Sequence, residues 1–375
     1  MLIAVPKEIR EGEKRVALVP DVINKLTRLG LDVVIESGAG IHSQASDADF
    51  VAAGAKVESG DVLKSADVVL SVQPLTPAQM ATLKKGAVTI SFLSVVTATD
   101  SIDAAASAGV TAFSLELVPR ISRAQSMDAL TSQALCAGYR AAIVGAELSP
   151  RFFPLLMTAA GTVTPAQVLV LGAGVAGLQA IATTRRLGAV VSAYDVRPSS
   201  ADEVKSMGAT FIELELESLA GAGGYAREMT EERAAKQREL LTPYIAKSHV
   251  LITTAAVPGR TAPRLVTAEM VNSMAPGTVI VDLAAETGGN VEGSKPGEIV
   301  ITANGVHIWG GKDVPSQLPF HASSLYSRNV VNLLTLLTVP PAEGLQAALN
   351  LNFEDEIIDG SAVTHAGSRR GGGAN

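Results

Sequence analysis

Val168-Leu169-Val170-Leu171-Gly172-Ala173-Gly174-Val175-Ala176-Gly177 is the stretch on which the fold turns. A short apolar run closed by glycine reads as a buried strand, and Leu178 to Leu187 continues as a helix. The three glycines have the spacing G-x-G-x-x-G, which is weak alone and informative in this context. An acid, Asp195, ends the next strand 23 residues after Gly172, where a dinucleotide fingerprint places one at about 20. Gly172 permits the tight turn, Gly174 lets backbone approach a pyrophosphate, and Gly177 lets helix and strand pack closely. The amides of Val175, Ala176 and Gly177 then face phosphates at the helix start. Asp195 is expected to accept from a ribose 2′-hydroxyl and to repel a 2′-phosphate, selecting NAD over NADP. Arg197, two residues on, is a counter-signal, and a structural turn without nucleotide is the alternative.

Outward from this stretch the same alternation recurs. Val190 to Tyr194, Thr210 to Ile212, Val250 to Ile252 and Val279 to Val281 read as further strands. Asn304-Gly305 marks a hairpin within Glu298 to Trp309. Upstream, Ile3 to Val5, Val33 to Ile35, Val68 to Leu70, Val88 to Ile90 and Val110 to Phe113 form a separate series. Helix patterns at Asp21 to Leu29 and Asp100 to Ala108 stop at Gly30 and Gly109. Continuous apolar strands alternating with helices predict parallel sheets covered on both faces. The expectation is an α/β protein of two Rossmann-like domains with a cleft between them, joined by long helices at Ser126 to Ala146 and Leu325 to Leu337. One domain is predicted over 1–135 completed by 325–375, the other over 140–322. Residues 360–375, ending Arg369-Arg370-Gly371-Gly372-Gly373-Ala374-Asn375, read as a disordered tail.

Composition narrows the function classes. The 375 residues are too many for one ordinary domain. A net charge of -7 and the lack of any basic block argue against a nucleic-acid binder. The single cysteine, Cys136, excludes an intrachain disulfide and reads as a small apolar core residue. No metal-ligand cluster is expected. Val330 to Val339 is about half of the ~20 apolar residues that span a bilayer, so the chain is predicted to be soluble or peripheral to a membrane.

Two further segments are polar beyond what linkers need. Pro119-Arg120-Ile121-Ser122-Arg123-Ala124-Gln125-Ser126-Met127-Asp128 carries two Arg, a Gln, an Asp and two Ser between apolar stretches. Arg120 and Arg123 suit forked binding of phosphate or carboxylate, while Gln125 and Asp128 suit a carboxamide and a ribose or a facing Arg. The alternative is a solvated loop, with Ser126 capping the following helix. Glu217 to Glu232, with Gly221-Ala222-Gly223-Gly224-Tyr225 at its centre, reads as a mobile loop whose Tyr225 closes on a cofactor, or as a plain connector.

Arg120 to Leu130, with Ala137-Gly138-Tyr139-Arg140, Met157 to Val163, the Gly172 fingerprint, Gly223-Gly224-Tyr225-Ala226 and Val281-Asp282-Leu283-Ala284, resembles the NAD(H)-binding component of proton-translocating NAD(P) transhydrogenases. The resemblance covers roughly residues 1–340. It implies that Arg120, Gln125, Asp128 and Thr131 hold the nicotinamide and its ribose and face a second nucleotide. Ser126 and Met127 belong to the same motif, and Val196 and Arg197 flank the ribose acid. Gly224, Tyr225, Gln237 and Ala256 fall at further nucleotide contacts. It also implies NAD(H) on this chain, NADP(H) on a partner component, proton movement through a separate membrane component, a homodimer with Glu298 to Trp309 as an exchange element, and a peripheral place on the cytoplasmic side of the bacterial inner membrane. Alanine dehydrogenases resemble the chain too, but reducing an imine or carbonyl requires a moved proton. The positions where that family has Lys, His and Asp are Ser71, Ser94 and Glu286 here, while Arg15 persists, which suggests a structural or interface use for it. A self-contained amino-acid dehydrogenase and a nucleotide sensor without chemistry are the competing readings.

Overall fold

The computed structural model describes residues 1–216, 230–256, 260–339, 341 and 347–371. They fall into two units: Met1–Gln133 with Pro315–Asn375, and Ala134–Val314.

In the first unit, strands β1 (Leu2–Val5), β2 (Asp32–Glu36), β3 (Lys56–Glu58), β4 (Val68–Leu70), β5 (Val88–Ser91) and β6 (Thr111–Ser114) lie in the order β6-β5-β4-β1-β2-β3. All of these pairings are parallel. Helices α1 (Pro20–Arg28), α2 (Asp47–Ala52), α3 (Pro77–Thr82) and α4 (Thr99–Ser107) connect them. Ile3 and Val5 join one core with Leu18, Ile23 and Phe113. Ala4, between them, joins Val34, Val69 and Met80 on the opposite face. Both faces are thus dry, which is why the strands read as continuous apolar runs. Capping boxes Ser46/Asp49 and Thr76/Gln79 start the short helices α2 and α3.

Helix α5 (Ala129–Leu148) carries the chain from the first unit into the second. Its start corrects the expectation of a helix from Ser126 with Ser126 as cap. Ser122–Met127 is a 3-10 helix, and Asp128 makes the cap. Its Oδ1 accepts from the Thr131 amide at 2.9 Å and its Oδ2 from the Thr131 hydroxyl at 2.6 Å. A carboxylate immediately before the first helical residue reaches the third amide of the turn, whereas Ser126 stands two residues too early.

The second unit opens with an isolated hairpin of β7 (Leu156–Thr158) and β8 (Gly161–Val163). Its main sheet comprises β9 (Gln167–Leu171), β10 (Val190–Tyr194), β11 (Thr210–Phe211), β12 (Val250–Thr253), β13 (Val279–Asp282), β14 (Ile299–Ile301) and β15 (His307–Gly310), ordered β11-β10-β9-β12-β13-β15-β14. The pairings are parallel except β14 with β15, the hairpin expected around Asn304-Gly305. Helices α6 (Val175–Arg186), α7 (Ser200–Ser206), α8 (Glu231–Lys247) and α9 (Ala268–Asn272) complete it. Val168 and Val170 pack with Ala141 and Val144 of α5 and Ile181 of α6. Leu169 and Leu171 pack on the other face with Leu241 and Ile245 of α8. The order reverses between β9 and β12, so the topological switch point lies at the carboxyl end of β9.

The return differs from the expected long helix. The chain re-enters the first unit at Pro315, inside the 3-10 helix Val314–Gln317. Helix α10 (Pro319–Leu336) then lies wholly in that unit, burying Tyr326, Val330 and Leu334 in its core. After β16 (Thr338–Val339), β17 (Ala348–Leu349) and α11 (Glu356–Ser361), strand β18 (Ala362–His365) pairs antiparallel with β6, and β19 (Ser368–Arg369) pairs outside it. The reading of 360–375 as a disordered tail is therefore corrected up to residue 371. Composition suggested disorder, but Ala362 and Val363 are buried, and the Thr364 hydroxyl both accepts from the Ala112 amide at 3.0 Å and donates to the Val110 carbonyl at 2.8 Å. Residues 372–375 lie outside the described residues.

Candidate functional site: the fingerprint turn and the polar segment before α5

At the end of β9, Gly172 has φ +100°, and a Cβ there would stand 2.6 Å from Thr254 Oγ1. At Gly177 a Cβ would stand 1.8 Å from the Gly172 carbonyl oxygen. Glycine is enforced at both positions by contact. At Gly174 nothing lies within 4 Å of such a Cβ. The chain itself gives no packing reason for that glycine, while open space above it suits the close approach of a ligand. Gly174 caps α6 without any side-chain hydrogen bond, leaving the first amides of that helix directed outward. The sequence-predicted Val175, Ala176 and Gly177 thus sit where a phosphate would be held, and these residues fit a dinucleotide.

Neighbouring groups lock this turn. The Gly172 amide donates to the Tyr194 carbonyl at 2.9 Å, and the Thr254 hydroxyl donates to the Gly172 carbonyl at 3.0 Å. Asn290 fixes the segment after β12: its Oδ1 accepts from the Ala255 amide at 3.0 Å, and its Nδ2 donates to the Ala255 and Pro263 carbonyls at 2.8 and 2.9 Å. Ala256 is exposed beside this clamp. From below, Gly138 of α5 meets α6 so closely that a Cβ would stand 2.0 Å from the Ala176 carbonyl oxygen. Thr254, Asn290 and Gly138 were not singled out for this role by sequence reasoning. Their work is to shape backbone, and no local spacing announces it.

Asp195 follows β10, beside the turn. Its Oδ2 accepts from the Ala173 amide at 2.7 Å and its Oδ1 from the Arg197 amide at 2.9 Å. Arg197 grips the same carboxylate in a fork, Nε to Oδ1 and a terminal nitrogen to Oδ2, both at 2.9 Å. The counter-signal noted at Arg197 thereby becomes a partner of Asp195. Val196, between them, is half-buried. Gln237 is buried on α8, where its Oε1 accepts from the Tyr194 hydroxyl at 3.1 Å. The expected loop at 217–232 ends sooner, because Thr230 caps α8 and Glu231 and Glu232 are its first residues. Gly224 and Tyr225 lie outside the described residues.

In the first unit the polar segment divides by role. Arg123 forks onto Asp355 at 2.7 and 2.8 Å, and this pairing holds the Asp355 carboxyl below the usual carboxylate range. Asp355 in turn caps α11 through the Ile357 amide at 2.8 Å. The forked grip expected of Arg123 toward a ligand is spent on the chain itself. Ala124 and Met127 are buried and anchor the segment. The Ser126 carbonyl accepts from Asn329 and Asn332 of α10 at 2.9 and 3.1 Å. Arg120, Gln125, Ser126 and Thr131 present exposed side chains, and Asp128 is half-buried in its cap with Thr131.

Arg15 is buried and structural. It forks onto Glu13 at 2.8 and 2.6 Å and donates to Gln133 at 2.9 Å. Gln73 and Ser316 donate to the same carboxylate at 2.7 and 2.6 Å. Burial alone would raise the Glu13 pKa, but the hydrogen bonds and charge of Arg15 outweigh it and hold it at about 2. Glu8 has backbone amides of Val72 and Gln73 against it, yet burial dominates and lifts its pKa to about 7. Ser71 donates to the Gln73 carbonyl at 2.7 Å, Ser94 is exposed with φ 47°, and Glu286 accepts from the Asp313 amide at 3.0 Å. Among the described residues, no cluster of His, Cys, Asp or Glu could hold a metal, and no helix is long and apolar enough to cross a membrane.

A glycine turn at the switch point of one parallel sheet, in a chain with a second parallel sheet of its own, defines a two-unit Rossmann-like α/β protein. The chain belongs to the alanine dehydrogenase/PNT family: residues 4–137 match that family's N-terminal domain and residues 141–370 its C-terminal domain. It is 47% identical over 378 residues to an NAD(P) transhydrogenase subunit alpha of Rhodospirillum rubrum, across 98% of this chain and 97% of the relative. It is 33% identical over 302 residues to the alanine dehydrogenase of Mycolicibacterium smegmatis, across 79% of this chain and 76% of that one. The crystal structure of transhydrogenase from Sinorhizobium meliloti matches with a TM-score of 0.85 at 42% identity, covering 98% of each chain.

Proposed function

We propose that this chain is the NAD(H)-binding component of a proton-translocating NAD(P) transhydrogenase. In this reading it binds NAD(H) in the second unit and exchanges hydride with NADP(H) held by a partner component. The observation that carries the reading is the fingerprint turn: open space above Gly174, uncapped amides at the start of α6, and Asp195 on the neighbouring strand. The transhydrogenase relative, similar along nearly its whole length, supports the finer assignment.

The bound dinucleotide supplies the hydride at its nicotinamide C4, and the second nicotinamide accepts it at C4. The amides of Val175, Ala176 and Gly177 hold the pyrophosphate, and Asp195 accepts from the adenosine ribose. Arg120, Gln125, Asp128 and Thr131 orient the nicotinamide half. Because hydride leaves one ring carbon and arrives at another, no oxygen needs a proton. Positioning two rings within about 3–3.5 Å and excluding water is then the chain's task. The serines at 71 and 94 agree with this, since neither offers a proton-transfer group near neutral pH. A self-contained dehydrogenase draws support from the alanine dehydrogenase relative but lacks that apparatus.

Coupling to proton movement is assigned to a separate membrane component, with this chain peripheral on the cytoplasmic side as a homodimer. The exposed Ile299 and Ile301 of edge strand β14 offer apolar surface for the dimer contact. The deciding experiment mixes the purified chain with the NADP(H)-binding component and follows hydride transfer to an NAD analogue. Rapid transfer is expected, with Arg120→Ala or Gln125→Ala slowing it at least tenfold. Turnover of pyruvate, ammonia and NADH by the chain alone would sink the proposal. Light scattering on the eluting chain checks the dimer.

A further inference from the structure

Arg233 stands in the first turn of α8, where its amide is capped by the Thr230 hydroxyl at 3.4 Å. The residue is partly buried, and its Nε is a buried donor with no hydrogen-bond partner. Such groups are rare in native structures and call for an explanation. Arg233 is four residues before Gln237 on the same helix, so the two share a face about one turn apart. The Gln237 Oε1 is taken up by the Tyr194 hydroxyl, which leaves its Nε2 as the donor on offer. Tyr194 immediately precedes Asp195. Arg233 also lies within electrostatic reach of that phenol. Burial pushes the Tyr194 pKa up to about 12, and the Arg233 charge works against the rise.

This locates the orphan donor along the cofactor. In a Rossmann unit the phosphates sit on the helix after the first strand, here α6, and the adenosine ribose sits by the acid of the next strand, here β10. Whatever lies beyond Tyr194 and Asp195, away from α6, is on the adenosine side. We infer that Arg233 is a further ligand of the adenosine half of the dinucleotide, donating from Nε–H to an acceptor atom of the adenine base, with Gln237 donating beside it. The inference rests on the reading of the second unit as a nucleotide site. It explains why an arginine donor is buried unpaired: its partner arrives with the nucleotide.

The test titrates the full chain with NADH, adenosine, AMP and nicotinamide mononucleotide, comparing wild type with Arg233→Leu and Arg233→Lys. Arg233→Leu should weaken NADH, AMP and adenosine alike by about tenfold, the scale of one well-placed hydrogen bond to a charged donor. Nicotinamide mononucleotide binding should not change, and Arg233→Lys should recover part of the loss. The nucleotide-free melting temperature of Arg233→Leu should stay level or rise, because an unsatisfied buried donor has been removed. A lower melting temperature would mean that Arg233 is structural and would overturn the inference. So would unchanged adenosine affinity, including the case in which AMP and NADH weaken while adenosine does not, which would mark a phosphate contact. Wild-type chain that fails to bind NADH would overturn the nucleotide reading itself. Wild-type binding with an indifferent Arg233→Leu overturns only the role given to Arg233.

Discussion

At the scale of residues, charged side chains in this protein are mostly claimed by one another. Glu13 and Arg15 form a buried pair tied to Gln73, Gln133 and Ser316. Removing one partner strands the other, so Glu13→Ala should cost about 3–5 kcal/mol in urea unfolding. The pair also sets a pH dependence. Glu13 is depressed from 4.5 to about 2 in the folded chain, so its contribution is present above about pH 4.5 and is lost as pH falls toward 2. Glu8 runs the other way, raised from 4.5 to about 7. Between those values the unfolded chain has released a proton that the folded chain retains, so stability falls as pH rises through the window. Glu8→Gln should flatten that slope in melts taken from pH 5 to 7.5, and an unaltered slope would count against the assignment. At Asp195, discrimination against a 2′-phosphate depends on a carboxylate that also occupies Arg197. Asp195→Ala should weaken NADH and tighten NADPH, as read by quenching of Trp309, the only tryptophan. Equal selectivity in variant and wild type would refute that role.

At the scale of elements, helix α5 serves two chemically distinct places along its length. Its N-terminus is capped by Asp128 in the polar segment, and its middle presses Gly138 onto the first turn of α6. Gly138→Ala would place a methyl group 2.0 Å from the Ala176 carbonyl oxygen, so helix or turn must shift. Overpacking of this kind costs about 1–3 kcal/mol. NADH affinity should fall about tenfold, because the displaced backbone is the part that faces phosphate; calorimetric titration reads this directly. Most elements were legible beforehand. The strands β1, β2, β4, β5, β6, β9, β10, β12 and β13 follow from apolar runs, and Gly30 and Gly109, with φ +73° and +70°, stop α1 and α4 as expected. The cap of α5 was misplaced because Ser126 and Asp128 are both competent, and choosing between them depends on where the preceding 3-10 helix ends.

At the scale of the whole molecule, the first unit is assembled from both ends of the chain. Strand β18 covers the edge of β6 and buries Ala362 and Val363. A chain truncated after Ser361 should therefore melt at a lower temperature and aggregate through the bared β6 edge; a truncation with native stability would contradict this. Local sequence was sufficient for the strands, the fingerprint glycines and the family, because these rest on short-range properties: apolar runs, φ values only glycine tolerates, and a helix start that follows at once. Tertiary structure alone decided which charges are available to a ligand. Arg123 looked like a ligand-binding arginine until Asp355, 232 residues away, was brought to its fork. The polar C-terminal stretch looked disordered until β6 offered it an edge. A charge or an edge strand is satisfied by whatever the fold places beside it, and that partner is not encoded in the residues on either side.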